Sequence, residues 1–224
     1  MLKNFFAFIA ILLLLNSCND KFDHLKFEKE VAYEIFPQLM DSLHLDTRVP
    51  IPPPPMIHDS NGKVIGFDTI ESKRRWQEFE TLKKEYYKDS VKLVTAIRDS
   101  TFLLDGKDKS EFLKYFNLGN TAIDTINIHK KYKVEIDRLL ADKKINLIYL
   151  SDLPEGGKIW STEDGFSLNS IVTISRIQFD KNKHFGVMTI GLTIGISHGS
   201  GFRVFIKKAK DKWIIDKIIL SEIS

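Results

Sequence analysis

Phe185-Gly186-Val187-Met188-Thr189-Ile190-Gly191-Leu192-Thr193-Ile194-Gly195-Ile196-Ser197 alternates without a break. Met188, Ile190, Leu192, Ile194 and Ile196 fall on one face, and Val187, Thr189, Gly191, Thr193 and Gly195 fall on the other. A period of two is the signature of a strand, and the face of large side chains belongs to the core. Three further β-type runs stand around it, at 171–179, 201–208 and 212–223, separated only by 180–183, 198–200 and 209–211. Connections this short join antiparallel neighbours, so residues 171–224 predict a four-stranded meander.

The small face of the second run has two readings. Gly191 and Gly195 in one long strand permit a sharp bend or the close approach of another element. Either a helix packs there, or Thr189, Gly191, Thr193 and Gly195 line a ligand cleft. The last two runs lead from Phe202-Arg203-Val204-Phe205-Ile206-Lys207-Lys208 through Lys210-Asp211-Lys212-Trp213 into Ile214-Ile215. This pair resembles the closing hairpin of the nuclear transport factor 2-like fold. The resemblance covers about a quarter of the chain and implies a cone-like, strongly bent sheet; it brings no catalytic residue.

Upstream, Phe27, Val31, Ile35, Leu39 and Leu43 recur every four residues and predict a helix over 23–45, which Pro37 should kink or split. Val49-Pro50-Ile51-Pro52-Pro53-Pro54-Pro55 is a stiff polyproline stretch suited to a spacer or a wall. Residues 56–67 predict a hairpin turning at Asn61-Gly62. Asp68 and Glu71 form a capping box for a helix to about residue 89, with Trp76, Phe79, Leu82 and Tyr86 on its inner face. A strand within 91–104, a short helix over 110–116, weak helical character over 120–144 and a strand at 147–150 complete the prediction. The expected fold is α+β: N-terminal helices packed on a C-terminal antiparallel sheet.

The first residues carry a different pattern. Lys3 precedes an uncharged apolar run over 5–15, and eleven residues at about 1.5 Å each cover roughly half of a ~30 Å hydrocarbon core. The run is a removable signal rather than a membrane span. It ends at Leu15-Asn16-Ser17-Cys18, which resembles the lipobox of bacterial lipoproteins. That resemblance, over residues 1–18, implies cleavage before Cys18 and lipid attached through its sulfur. Asn16 departs from the small residue commonest at that place. Asn19, a non-acidic residue after the cysteine, implies the outer membrane rather than the inner one. The organisation is then a signal peptide at 1–17, an anchor-proximal helix and proline-rich segment at 18–55, and an α+β domain at 56–224.

Composition limits the function. The chain has 224 residues, 33 Lys plus Arg against 30 Asp plus Glu, 43% hydrophobic residues and one cysteine. This excludes a disordered chain, a multi-pass membrane protein and an internal disulfide framework. Residues 171–224 carry nine basic and four acidic side chains, a balance of +5, while the remainder has 24 against 26. Arg203, Lys207, Lys208, Lys210 and Lys212 form a candidate basic face for an anionic envelope component or a protein partner; protection of exposed strands is the plainer explanation. Lys73-Arg74-Arg75 lies among Glu71, Glu78 and Glu80 and reads as a solvated face, so no nucleic-acid partner is expected.

Catalytic signals are weak. Gly195-Ile196-Ser197-His198-Gly199 matches G-x-S-x-G, but strand continues beyond it and no later histidine follows, so it reads as a turn. The six histidines lack metal-ligand spacing, and 180–191 lacks the closing glutamate of a calcium loop. No metal or cofactor is expected. The sequence therefore predicts a lipid-anchored envelope protein with a non-enzymatic binding or structural role. A small apolar ligand-binding domain and a hydrolase acting on an envelope polymer are the alternatives.

Overall fold

The computed structural model describes residues 22–43, 46–88, 91–125, 129–139, 144–160 and 168–223; the signal segment and Cys18 lie outside them. Helix α1 (His24–Leu43) is followed by a separate hairpin of β1 (Met56–His58) and β2 (Val64–Phe67), then by helix α2 (Thr69–Lys88). Next come β3 (Leu93–Ile97), helix α3 (Gly106–Tyr115), β4 (Ile145–Tyr149), β5 (Leu168–Ile174) and the short β6 (Gln178–Phe179). The long strands β7 (Phe185–Gly195), β8 (His198–Ala209) and β9 (Lys212–Ile223) close the chain. The main sheet has the order β4-β3-β5-β7-β8-β9, with β6 beside β7.

The α+β class and the C-terminal meander are present. The sheet is mixed, however, because β3 pairs in parallel with both β4 and β5. Buried Thr95 and Ser170 face each other across β3 and β5, their hydroxyls 3.1 Å apart, which pins that parallel register. The sheet is not strongly curled, so the expected cone does not form. Strand β7 carries no sharp bend at Gly191; its register with β8 shifts only near the turn, between Thr193 and Gly195.

Helix α1 covers the large face of β7. Ile35, Phe36 and Leu39 are buried against Met188, Ile190 and Leu192 in one apolar cluster with Val172 and Val204. Each such side chain contributes about 1.5–3 kcal/mol on burial. The helix runs through Pro37 unbroken. The proline forfeits one hydrogen bond to the preceding turn, a loss smaller than the packing around it. Glu28 ties the start of α1 to the bend after β5: its carboxylate accepts from Arg176 Nε at 2.6 Å, Arg176 Nη2 at 2.5 Å and the Ile177 amide at 2.8 Å.

The opposite face has two covers. Helix α3, whose Asp105 side chain caps the Asp108 amide, sets buried Phe112 against Val187 and Phe205. Farther along, 3-10 turns at Leu150–Asp152 and Gly156–Trp160 lie over Ala96, Leu168 and Ile171. Residues 91–104 thus yield a strand of five residues followed by a bend, and the described part of 120–144 yields two 3-10 turns, Asn120–Ala122 and Ile136–Arg138, in place of a helix.

Helix α2 departs most from expectation. Asp68 caps it, accepting from the amides of Ile70 and Glu71 at 3.0 and 2.9 Å. Of its predicted inner face, Phe79 is buried, whereas Trp76, Leu82 and Tyr86 remain exposed. An amphipathic pattern specifies a face that prefers cover, and the fold supplies cover for one turn of it.

Candidate functional site

The small face of β7 is occupied along most of its described length. Thr189 Oγ1 donates to Asp108 Oδ2 at 3.0 Å, so α3 closes this part. Gly191 stands opposite Thr173 on β5 and Gly201 on β8. A Cβ at Gly191 would meet Thr173 Oγ1 at 2.5 Å, so this glycine admits a neighbouring strand's side chain. Thr193 pairs with Ile171 and Gly199, and Gly195 pairs with His198 beside the two-residue Ile196-Ser197 turn. The serine of G-x-S-x-G therefore sits in a hairpin connection between β7 and β8.

The basic residues separate into two groups. Arg203 is 7% exposed, and its Nη2 lies 2.6 Å from Asp108 Oδ1, so its charge is answered inside the domain. Lys207 pairs with Asp216 at 2.5 Å; that contact, with the Tyr115 hydroxyl at 2.8 Å, holds the Asp216 carboxyl below the usual carboxylate range. Lys208, Lys210 and Lys212 are exposed around the β8–β9 turn, where Lys210 adopts a φ of 57°. Arg74 and Arg75 of α2 pair with Glu71, which is drawn down to a pKa of about 2 chiefly by Arg74; Arg74 also meets Glu78.

Other polar clusters explain local turns. The Asp180 carboxylate accepts from the amides of Asn182, His184 and Phe185 at 3.0, 2.7 and 2.7 Å, which organises the β6–β7 turn. Tyr132, buried beside Glu28 and Arg176, has its phenol pKa pushed well up by burial and then by the Glu28 charge. Among the described residues no three His, Cys, Asp or Glu side chains are placed to hold a metal ion, and no helix is long and apolar enough to cross a membrane.

Two surfaces escaped the sequence reading. The β1–β2 hairpin leaves its apolar side chains in solvent: Ile65 is 62% and Phe67 61% exposed, and Ile70 at the start of α2 is 82% exposed. A two-stranded hairpin is marginal alone, and these side chains form an uncovered apolar patch on it. The second is an apolar hollow between residues 46–51, α2 and the end of β7. Its wall is rigid. Thr47 donates through both its amide and its hydroxyl to Asn169 Oδ1, at 2.9 and 2.8 Å. The polyproline stretch signalled a wall; its opposite side depended on long-range packing of α2.

No known family model matches the chain, and no curated protein or solved structure is significantly similar to it.

Proposed function

We propose that this chain is a lipid-anchored cell-envelope lipoprotein, held through Cys18 in the outer membrane rather than the inner one. Its folded part binds another envelope component and does not catalyse a reaction. The apolar run ending at Leu15-Asn16-Ser17-Cys18 supports the anchor most directly, and the position of α1 fits it. His24, its first residue, stands six positions after Cys18, and its Nδ1 lies 3.2 Å from Asp124, which also pairs with Lys183 in the β6–β7 turn. Six residues reach at most about 20 Å, so this end of the domain would stay close to the headgroups.

The β8–β9 turn belongs to the same end, because the Lys208 amide donates to the His184 carbonyl at 2.8 Å. Its exposed Lys208, Lys210 and Lys212 suit an anionic surface, where each adds about 1 kcal/mol of attraction. Helix α1 is about 30 Å long, and the chain beyond it reaches the hollow beside Ile194 and His198, at the far end of β7. The exposed hairpin follows there. Its apolar residues would thus face away from the anchoring membrane, where a protein partner meets them.

Replacement of Cys18 by Ala tests the anchor. Incorporation of labelled fatty acid should vanish and the protein should leave the washed membrane fraction. Unchanged labelling and fractionation would refute it.

A further inference from the structure

We infer that the hollow between the 46–51 segment, α2 and the end of β7 binds a single-chain amphiphile with an acidic head, of the fatty-acid class. It has a volume of about 330 Å³, within the range of small-molecule sites. Val49, Pro50, Ile51, Phe79 and Ile194 supply its apolar lining. Val49 and Phe79 are buried, so the inner wall is part of the packed domain; Ile51 is half exposed and stands toward the mouth.

Charge selects the head. Asp46 lines the hollow, but Arg48 already answers it, with Nε 2.9 Å from Oδ1 and Nη2 2.6 Å from Oδ2. Lys83 of α2 also lines it, and its ammonium makes no ion pair or hydrogen bond among the described residues. The same Lys83 and Asp46 line a second hollow of about 230 Å³, reached between Tyr87, Leu93 and Ile145, where the exposed Asp41 carboxylate also stands and leaves the larger hollow as the place for an acidic head's chain. Lys144, which lines that second hollow, is engaged with the Tyr86 carbonyl at 3.4 Å and the Tyr87 ring at 5.1 Å. Lys83 therefore stands at the junction as the cation left to a ligand. A carboxylate at Lys83 would gain a charge-assisted contact, and its alkyl chain would fill the larger hollow.

Access follows from how α2 is held. Among its residues Phe79 is the one buried side chain, and Arg75 reaches the Pro53 carbonyl at a long 3.4 Å. The helix lies over the hollow with little of its surface committed to the core, which lets a chain enter between α2 and the polyproline wall. The site does not depend on Cys18, so it stands or falls separately from the membrane anchor.

Photoreactive dodecanoic acid and the matching photoreactive dodecanol, each incubated with the full-length chain and mapped by peptide mass spectrometry, test the inference. Both probes should label 46–51 and 79–83. Ile194→Trp should block both; Ile51→Trp, which changes a half-exposed side chain and should therefore leave folding intact, should do the same. Lys83→Met should lower labelling by the acid roughly tenfold, the loss of one charge-assisted contact, and leave the alcohol unchanged. Labelling that persists in both tryptophan variants would overturn the site. Equal effects of Lys83→Met on acid and alcohol, or no effect on either, would overturn the acidic-head assignment.

Discussion

Asp108 on α3 and Arg203 on β8 form a buried ion pair across the second face of the sheet, with Arg203 Nε 2.7 Å and Nη2 2.6 Å from the same carboxylate oxygen. The other oxygen accepts from Thr189. This triad fixes α3 on the strands and removes the most central cation of the meander from the surface. Asp108→Ala should cost about 3 kcal/mol in urea denaturation, because it strands a buried guanidinium. Asp108→Leu combined with Arg203→Met should recover most of that loss. Wild-type stability of Asp108→Ala would mean that the pair is solvated.

The contact between Gly191 and Thr173 gives a second test. Gly191→Val should destabilise the domain by about 1–3 kcal/mol through overpacking, and Thr173→Ala should relieve part of it. At Gly195 the nearest atom to an added Cβ is His198 Nδ1 at 3.5 Å, ordinary contact distance. Gly195→Ala should therefore change the unfolding free energy measured in urea by less than about 0.5 kcal/mol. Equal large losses at both positions would favour a bend-forming role for the glycines.

These two contacts also mark how far the sequence could be read. The alternation of 185–197 located β7 and its buried face, and Asn61-Gly62 and Asp68 located a turn and a cap, because each is local chemistry. The parallel placement of β3 was not legible: five residues contain no record that the strands of Ile145 and Leu168 lie on either side of them. Helix α2 misled for a related reason, since Trp76 and Phe79 share a periodic face but only Phe79 meets the core. For the candidate surfaces, the exposed lysines at 208, 210 and 212 could be anticipated from their turn, whereas the burial of Arg203 needed Asp108, 95 positions away.

His24 provides a pH dependence. Burial, and then the Lys183 ammonium, hold its imidazole below the ordinary value of 6.5, while Asp23 acts in the other sense. Asp124 is nearby, but Lys183 already occupies its carboxylate. Between the folded and unfolded pKa values the unfolded chain binds more protons, so this stability is complete above about 6.5 and declines as pH falls toward the folded value. Thermal melts from pH 7.5 to 5 should show a steeper acid loss in the wild type than in His24→Gln. Identical slopes would remove His24 from the account.

The exposed hairpin and the buried part of α2 should separate cleanly. Phe79→Ala should cost about 3 kcal/mol, as for a buried phenylalanine, while Ile65→Lys and Phe67→Ser should each stay within about 0.5 kcal/mol of wild type. Binding of an anilinonaphthalene dye should fall in the two hairpin variants if their side chains form the accessible apolar surface. Undiminished dye binding would place that surface elsewhere.

The central claim is that Cys18 carries the lipid that holds the domain at the membrane, six residues before α1 begins. Mass spectrometry of the N-terminal peptide from membrane-extracted protein tests it most directly. The account predicts a chain beginning at Cys18 with its sulfur in thioether linkage to a diacylglyceryl group. A peptide that retains residues 1–17, or one that shows a free Cys18 thiol, would contradict it.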